Sequence, residues 1–170
     1  INSYSISLAD YGLAQHKYYV GFGSTLAGTR GYIDPNMCEW KITNKLHTPF
    51  SLFEGISADV FSTARTIYEL FIANKSNLHS ITTSINKLGL PKSEEKSQNI
   101  IKNFEQKFKE YTEEYHRIKP VYKNEQGKLK KIEFQFKQII WKMLNPIQEE
   151  RPEITEAMCQ LENLLISYKS

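Results

Sequence analysis

A chain of 170 residues is long enough for one ordinary domain with its own core. Its 40% apolar and 24% charged content places it with globular rather than disordered chains, and no apolar run approaches the roughly 18 residues that a membrane helix needs. The 22 basic and 19 acidic side chains leave a net charge of +3, too small to argue for nucleic acid or a membrane surface.

Residues 3–10 alternate well enough for a strand and run into "LADYGLA" at 8–14. There Asp10 closes an apolar stretch, and Gly12 lets the backbone turn sharply beyond it. A carboxylate in that setting must be paired, hydrogen-bonded or bound to a cation, although Asp and Gly are also ordinary turn residues. Residues 15–31, rich in Gly, Ser, Thr and Tyr, predict a long loop, which inside a compact domain is usually functional. Pro35 closes it, and a short apolar stretch follows around Met37 and Trp40.

The segment "ISADVFSTARTIYELFIA" predicts the strongest helix, with Ser57 as N-cap and Asp59 in the first turn. Val60, Phe61, Ala64, Ile67, Tyr68, Leu70 and Phe71 leave it little polar face, which points to a central helix on which others pack. Residues 75–96 read as polar and loop-like, with "LGLPKSEEK" as turn and helix-start signals. Ile100, Ile101, Phe104, Phe108, Tyr111, Tyr115 and Ile118 then recur at steps of three and four, an amphipathic helix ended by Pro120. After an exposed basic turn, "KNEQGKLKK", another helix carries Ile132, Phe136, Ile139, Ile140, Met143 and Leu144. "NPIQEERPEIT" reads as a loop, and a last helix with Thr155 as N-cap presents Ala157, Met158, Leu161, Leu164, Leu165 and Tyr168. Cys38 and Cys159 lack zinc spacing and read as reduced core thiols of an intracellular, cytoplasmic protein.

Four stretches fall in a telling order: "LADYGLA" at 8, "GTRGYIDPN" at 28, "ADVFSTARTIYEL" at 58 and "MLNPIQEERP" at 143. The succession resembles the C-terminal lobe of eukaryotic protein kinases. That family shows Asp-Phe-Gly, a loop ending in Gly-Thr-x-x-Tyr-x-Ala-Pro-Glu, Asp-Val-Trp-Ser-x-Gly on a buried helix, and an Arg-Pro pair before the final helix. The implied fold class is mainly α: a helical C-terminal lobe of the protein-kinase-like fold spanning 1–170, with a short N-terminal β element. An activation segment would cover about 10–36 and an insert about 75–130.

The implied activity is serine/threonine-type phosphoryl transfer from Mg-ATP to protein hydroxyls. By this resemblance Asp10 holds the Mg2+ that bridges the ATP phosphates, and Gly12 shapes the turn beside the nucleotide. Thr29 matches the threonine that faces the catalytic machinery and helps seat a hydroxyl substrate. Ser24 and Thr25 stand where an activating phosphate could order the loop. Asp59 resembles the acid that accepts hydrogen bonds from the catalytic-loop backbone, and Arg151 the arginine that pairs with the Glu of Ala-Pro-Glu.

Departures are equally specific. The triplet is Asp34-Pro35-Asn36, so Asn36 cannot give Arg151 a full ionic partner, and Asp34 or Glu39 could substitute. Tyr11, Phe61 and Ala64 stand where the family has Phe, Trp and Gly. No catalytic-loop Asp, general base or nucleotide-gripping N-lobe precedes Ile1, so the sequence reads as a piece of a longer parent that supplies them, inactive alone. The expected partners are ATP, a protein substrate and that N-lobe, with no nucleic acid and no membrane segment. An alternative is a pseudokinase lobe acting as a scaffold or regulatory interaction module. A third, an unrelated helical module, predicts that Asp10 lies far from Thr29 and Arg151 far from residues 34–39.

Overall fold

A computed structural model describes residues 29–43, 52–72, 76–88, 94–122 and 127–169. The described residues are mainly helical, with no strand among them. In chain order they form α1 (Pro35–Ile42), α2 (Leu52–Phe71), α3 (Leu78–Asn86), α4 (Glu94–Arg117), α5 (Lys128–Met143), a 3-10 turn at Gln148–Glu150, and α6 (Ile154–Lys169). The strand expected over 3–10 lies outside the described residues. None of these helices is long and apolar enough to cross a membrane.

The core follows the apolar periodicities. Val60, Phe61, Ala64 and Tyr68 of α2 meet Phe104, Tyr111 and Tyr115 of α4 and Ile139, Ile140 and Met143 of α5 in one cluster. Leu78 and Ile85 of α3 and Ala157 of α6 belong to the same cluster, so residues 76–118 are integral to it. Tyr111 is wholly buried and its hydroxyl donates to the Leu144 carbonyl at 2.5 Å. Burial disfavours the phenolate and pushes that pKa far up, which keeps the proton available for the bond.

Several boundaries differ from expectation. α2 begins at Leu52, so Ser57 is a buried residue within the helix rather than its N-cap, and Asp59 lies beyond the first turn. Leu70 and Phe71 are exposed, because this helix buries one face only. Residues 78–86 are helical instead of loop: Leu78, Ile81 and Ile85 carry a helical period that interleaved His, Ser and Thr disguise, while α4 starts at Glu94 within the expected helix-start stretch. Thr155 is the second residue of α6 and not its cap. Cys38 is buried as expected, whereas Cys159 is an exposed thiol on the outer side of α6.

The start of α3 is pinned by a residue of α4. Glu114 accepts from Asn77 N at 2.8 Å and Ser76 Oγ at 3.1 Å, and Arg117 grips it through Nε at 2.6 Å and Nη2 at 2.5 Å. The Arg117 hydrogen bonds lower the Glu114 pKa from 4.5, outweighing its desolvation. A carboxyl whose folded pKa is depressed adds stability above its unfolded value and loses it as pH falls through the folded one. Glu114→Gln is therefore expected to flatten the acid limb of stability below pH 4.5, measured as urea midpoints across pH. An unchanged limb contradicts this.

Candidate functional site

The segment Thr29–Asn36 is held in place by polar contacts at Gly31, Tyr32, Ile33, Asp34 and Asn36. Tyr32 N donates to Thr29 O at 3.1 Å, closing a turn whose third residue, Gly31, has φ +91°. That value favours glycine. A Cβ there would meet His79 Cε1 and Thr83 Oγ1, both at 2.8 Å, so α3 leaves no room for a side chain. Gly31→Ala is expected to cost at least about 1 kcal/mol, read from urea unfolding; a neutral result would show that the turn adapts.

Two helices then hold the turn. Ser62 Oγ of α2 donates to Tyr32 O at 2.9 Å, and Thr82 Oγ1 of α3 lies 3.0 Å from Gly31 O. Asn86 at the end of α3 takes Gly31 N at 2.7 Å and turns its amide nitrogen toward Ile33 O (3.3 Å) and Cys38 Sγ (3.1 Å). An amide can accept and donate at once, so one side chain serves the backbone on both sides of Tyr32. Asn86 and Thr82 escape the sequence reading because they sit in the stretch taken as loop.

Beyond the turn, Asp34 is fully buried and carries two tasks. As N-cap of α1 it accepts from Asn36 N at 3.1 Å. It also forms a bidentate pair with Arg151, Nη1–Oδ2 2.5 Å and Nη2–Oδ1 3.0 Å. Gln148 Nε2 adds a third donor at 3.1 Å. Arg151 is satisfied from further sides: Nε donates to Asn145 O at 2.7 Å, Nη1 lies 3.1 Å from Ser57 O, and the guanidinium rests 5.1 Å from the Phe61 ring centroid. Asn36 serves the pair indirectly, its Nδ2 reaching Asp34 Oδ1 at 3.1 Å and Pro146 O at 2.9 Å. Of the two acids the sequence offers as partners for Arg151, Asp34 fills the role; Glu39 is exposed.

Thr29, at the outer end of the turn, is exposed. So is Asp59 on α2, and no hydrogen bond or ion pair reaches its carboxyl among the described residues. Partial desolvation with no compensating donor raises its pKa from 3.8. Arg65, six residues further along α2, is a cation that the sequence did not single out. It is fully buried, bonds Glu69 Oε2 at 2.9 Å and lies near the Tyr32 and Tyr68 rings, while its Nε and Nη1 have no acceptor among the described residues. No family model, curated protein or solved structure matches the chain.

Asp10, Gly12, Ser24 and Thr25 lie outside the described residues. Among the described residues, no group of three or more His, Cys, Asp or Glu side chains could hold a metal ion. What the described site does chemically is therefore to hold a backbone segment rigidly: one buried ion pair, one amide clamp and one glycine turn fix residues 29–36 against α2, α3 and the loop before α6.

Proposed function

We propose that the chain is the large-lobe part of a serine/threonine-type protein kinase, in which Thr29–Asn36 forms the substrate-side end of the activation segment. The observation that carries this reading is the buried Asp34–Arg151 pair. It joins the segment to the stretch before the last helix, where the kinase resemblance requires an acid–arginine contact, and it uses the neighbouring acid because Asn36 replaces the usual one. An unrelated helical module gives no reason for residues 117 apart to meet there.

Asp59 fits the same reading. An accessible carboxyl on α2, with desolvation and no donor among the described residues, suits an acceptor for backbone N–H groups of a catalytic loop. Asp10 would hold Mg2+ and Gly12 would shape the turn beside ATP. Bound there, the metal would neutralise charge on the transferring phosphoryl group. The residues described here add the platform that presents Thr29 to a protein substrate.

The test uses the full-length parent protein, radiolabelled ATP and a protein substrate with Ser and Thr hydroxyls. Asp10→Asn is expected to bring transfer to background while the melting curve is retained, with label recovered on Ser or Thr from the unsubstituted enzyme. Undiminished transfer by the variant removes Asp10 from metal binding. Label on Tyr overturns the hydroxyl specificity, and an inactive unsubstituted protein overturns the enzyme reading in favour of a scaffold.

A further inference from the structure

α3 is short and does not cap itself. It has 9 residues, too few for a helix that holds on its own in water, and its N-cap residue, Asn77, makes no side-chain hydrogen bond to the first turn. The missing acceptor comes from another helix. Glu114, buried on α4, takes Asn77 N at 2.8 Å and Ser76 Oγ at 3.1 Å, while Ser76 Oγ accepts from Leu78 N at 3.1 Å. A carboxylate at the positive end of a helix, bonded to donors that the helix cannot satisfy itself, fixes where that helix starts. Arg117 in turn fixes the carboxylate.

The rest of α3 grips the Gly31 turn. Thr82 Oγ1 lies 3.0 Å from Gly31 O, and Asn86 Oδ1 takes Gly31 N at 2.7 Å. His79 and Thr83 close against the glycine and leave no space for a Cβ. The bond from Tyr32 N to Thr29 O closes the turn, so Thr29 moves with Gly31. Asn77 and Asn86 stand about 13 Å apart along the helix axis at 1.5 Å per residue. α3 is therefore a strut with α4 at one end and the Thr29 turn at the other, and a rigid element of that length carries a shift of its start to its end.

We propose that Glu114 is a positioning residue for the protein substrate: acting through α3, it sets where the turn presents Thr29. The proposal rests on the kinase reading of that turn. A loosened strut misplaces the seat of the substrate hydroxyl, and errors of about 1 Å in such a seat cost as much as about a hundredfold. The nucleotide side, assigned to Asp10 and Gly12, is left as it was. General destabilisation acts differently, because a smaller active fraction lowers the apparent kcat and leaves KM where it was.

The test is steady-state transfer by the full-length parent protein, with the Ser- and Thr-bearing protein substrate and ATP varied in turn. Glu114→Ala is expected to raise the KM for the protein substrate about tenfold and to leave the KM for ATP unchanged. Glu114→Gln keeps an acceptor for Asn77 N and should recover most of that loss. Asn86→Ala cuts the other end of the strut and should raise the same KM. An unchanged KM for the protein substrate in either alanine variant overturns the proposal, as does an equal rise in both KM values. A Glu114→Gln variant as impaired as Glu114→Ala also overturns it, by removing the acceptor as the cause. A parent protein that transfers no phosphate removes the kinase reading and the substrate role with it, whereas an active parent with unchanged KM values removes only the role of α3.

Discussion

Arg151→Met is expected to lower the folding stability by about 3–5 kcal/mol, because it leaves the buried Asp34 carboxylate without its cation. The magnitude follows from where the charges are. Both side chains are removed from water, so a carboxylate stripped of its partner keeps the whole desolvation penalty and loses the attraction that offset it. Gln148 and Asn36 still donate to Asp34, but neutral donors replace only part of a bidentate guanidinium. Arg151→Met/Asp34→Asn should recover much of the loss, since it removes the stranded charge as well. Urea unfolding of the two single variants and the double variant gives this coupling as a double-mutant cycle. A single-variant cost under about 1 kcal/mol would mean that Asp34 finds another partner or protonates. In either case the pair would not anchor residues 29–36.

Phe61→Ala should cost a comparable amount, about 3–5 kcal/mol, by emptying the centre of the core. Phe61 is fully buried on α2, with its ring 6.1 Å from that of Tyr111 and its face beneath the Arg151 guanidinium. The substitution removes apolar contacts and opens a cavity that helices on several sides cannot all close. It also removes the ring from below the cation, so its effect should not add to that of Arg151→Met. Phe61→Trp, which introduces a larger aromatic, is expected to destabilise through overpacking, because Phe61 already has no exposed surface. A Phe61→Ala protein that unfolds at the original urea concentration would contradict a core centred on this ring.

The long helices were readable in the sequence because their apolar residues return at helical spacing. Ile100 through Tyr115 on α4 with Ile118 just past its end, and Phe136 through Met143 on α5, either enter the core or pack against it. α3 was hidden for a physical reason. It is short, and residues such as His79, Thr82 and Thr83 point at the Gly31 turn instead of forming an apolar stripe. Polar residues serving another segment's backbone look like loop residues when only hydropathy is read. Asn86 is the clearest case, since nothing near it in sequence signals the backbone groups it serves at Gly31 and Ile33.

The ion pair was partly legible. Arg151 stood out through its Arg-Pro neighbour, and Asp34 was one of two substitutes that the missing acid at Asn36 left open; only the bidentate geometry separates it from Glu39. Arg65 gave no signal, because a cation inside an apolar helix is ordinarily assigned to the solvent side. Its burial between two tyrosines depends on residues of the turn and of α2 itself. Capping signals misled at Ser57 and Thr155, since a hydroxyl near a helix start is equally useful within the helix.

The dual role of Asp34 bears on how the molecule breathes. One carboxylate caps α1 and at the same time receives the arginine that precedes α6, so neither end can fray without stripping the other of its partner. Amide protons of Gly31, Asn36 and Met37 should therefore exchange with solvent as one cooperative group with those of the loop at 145–151. A contact spanning 117 residues thereby gives the exposed Thr29 turn the opening free energy of the core, where a surface turn on its own would open almost freely.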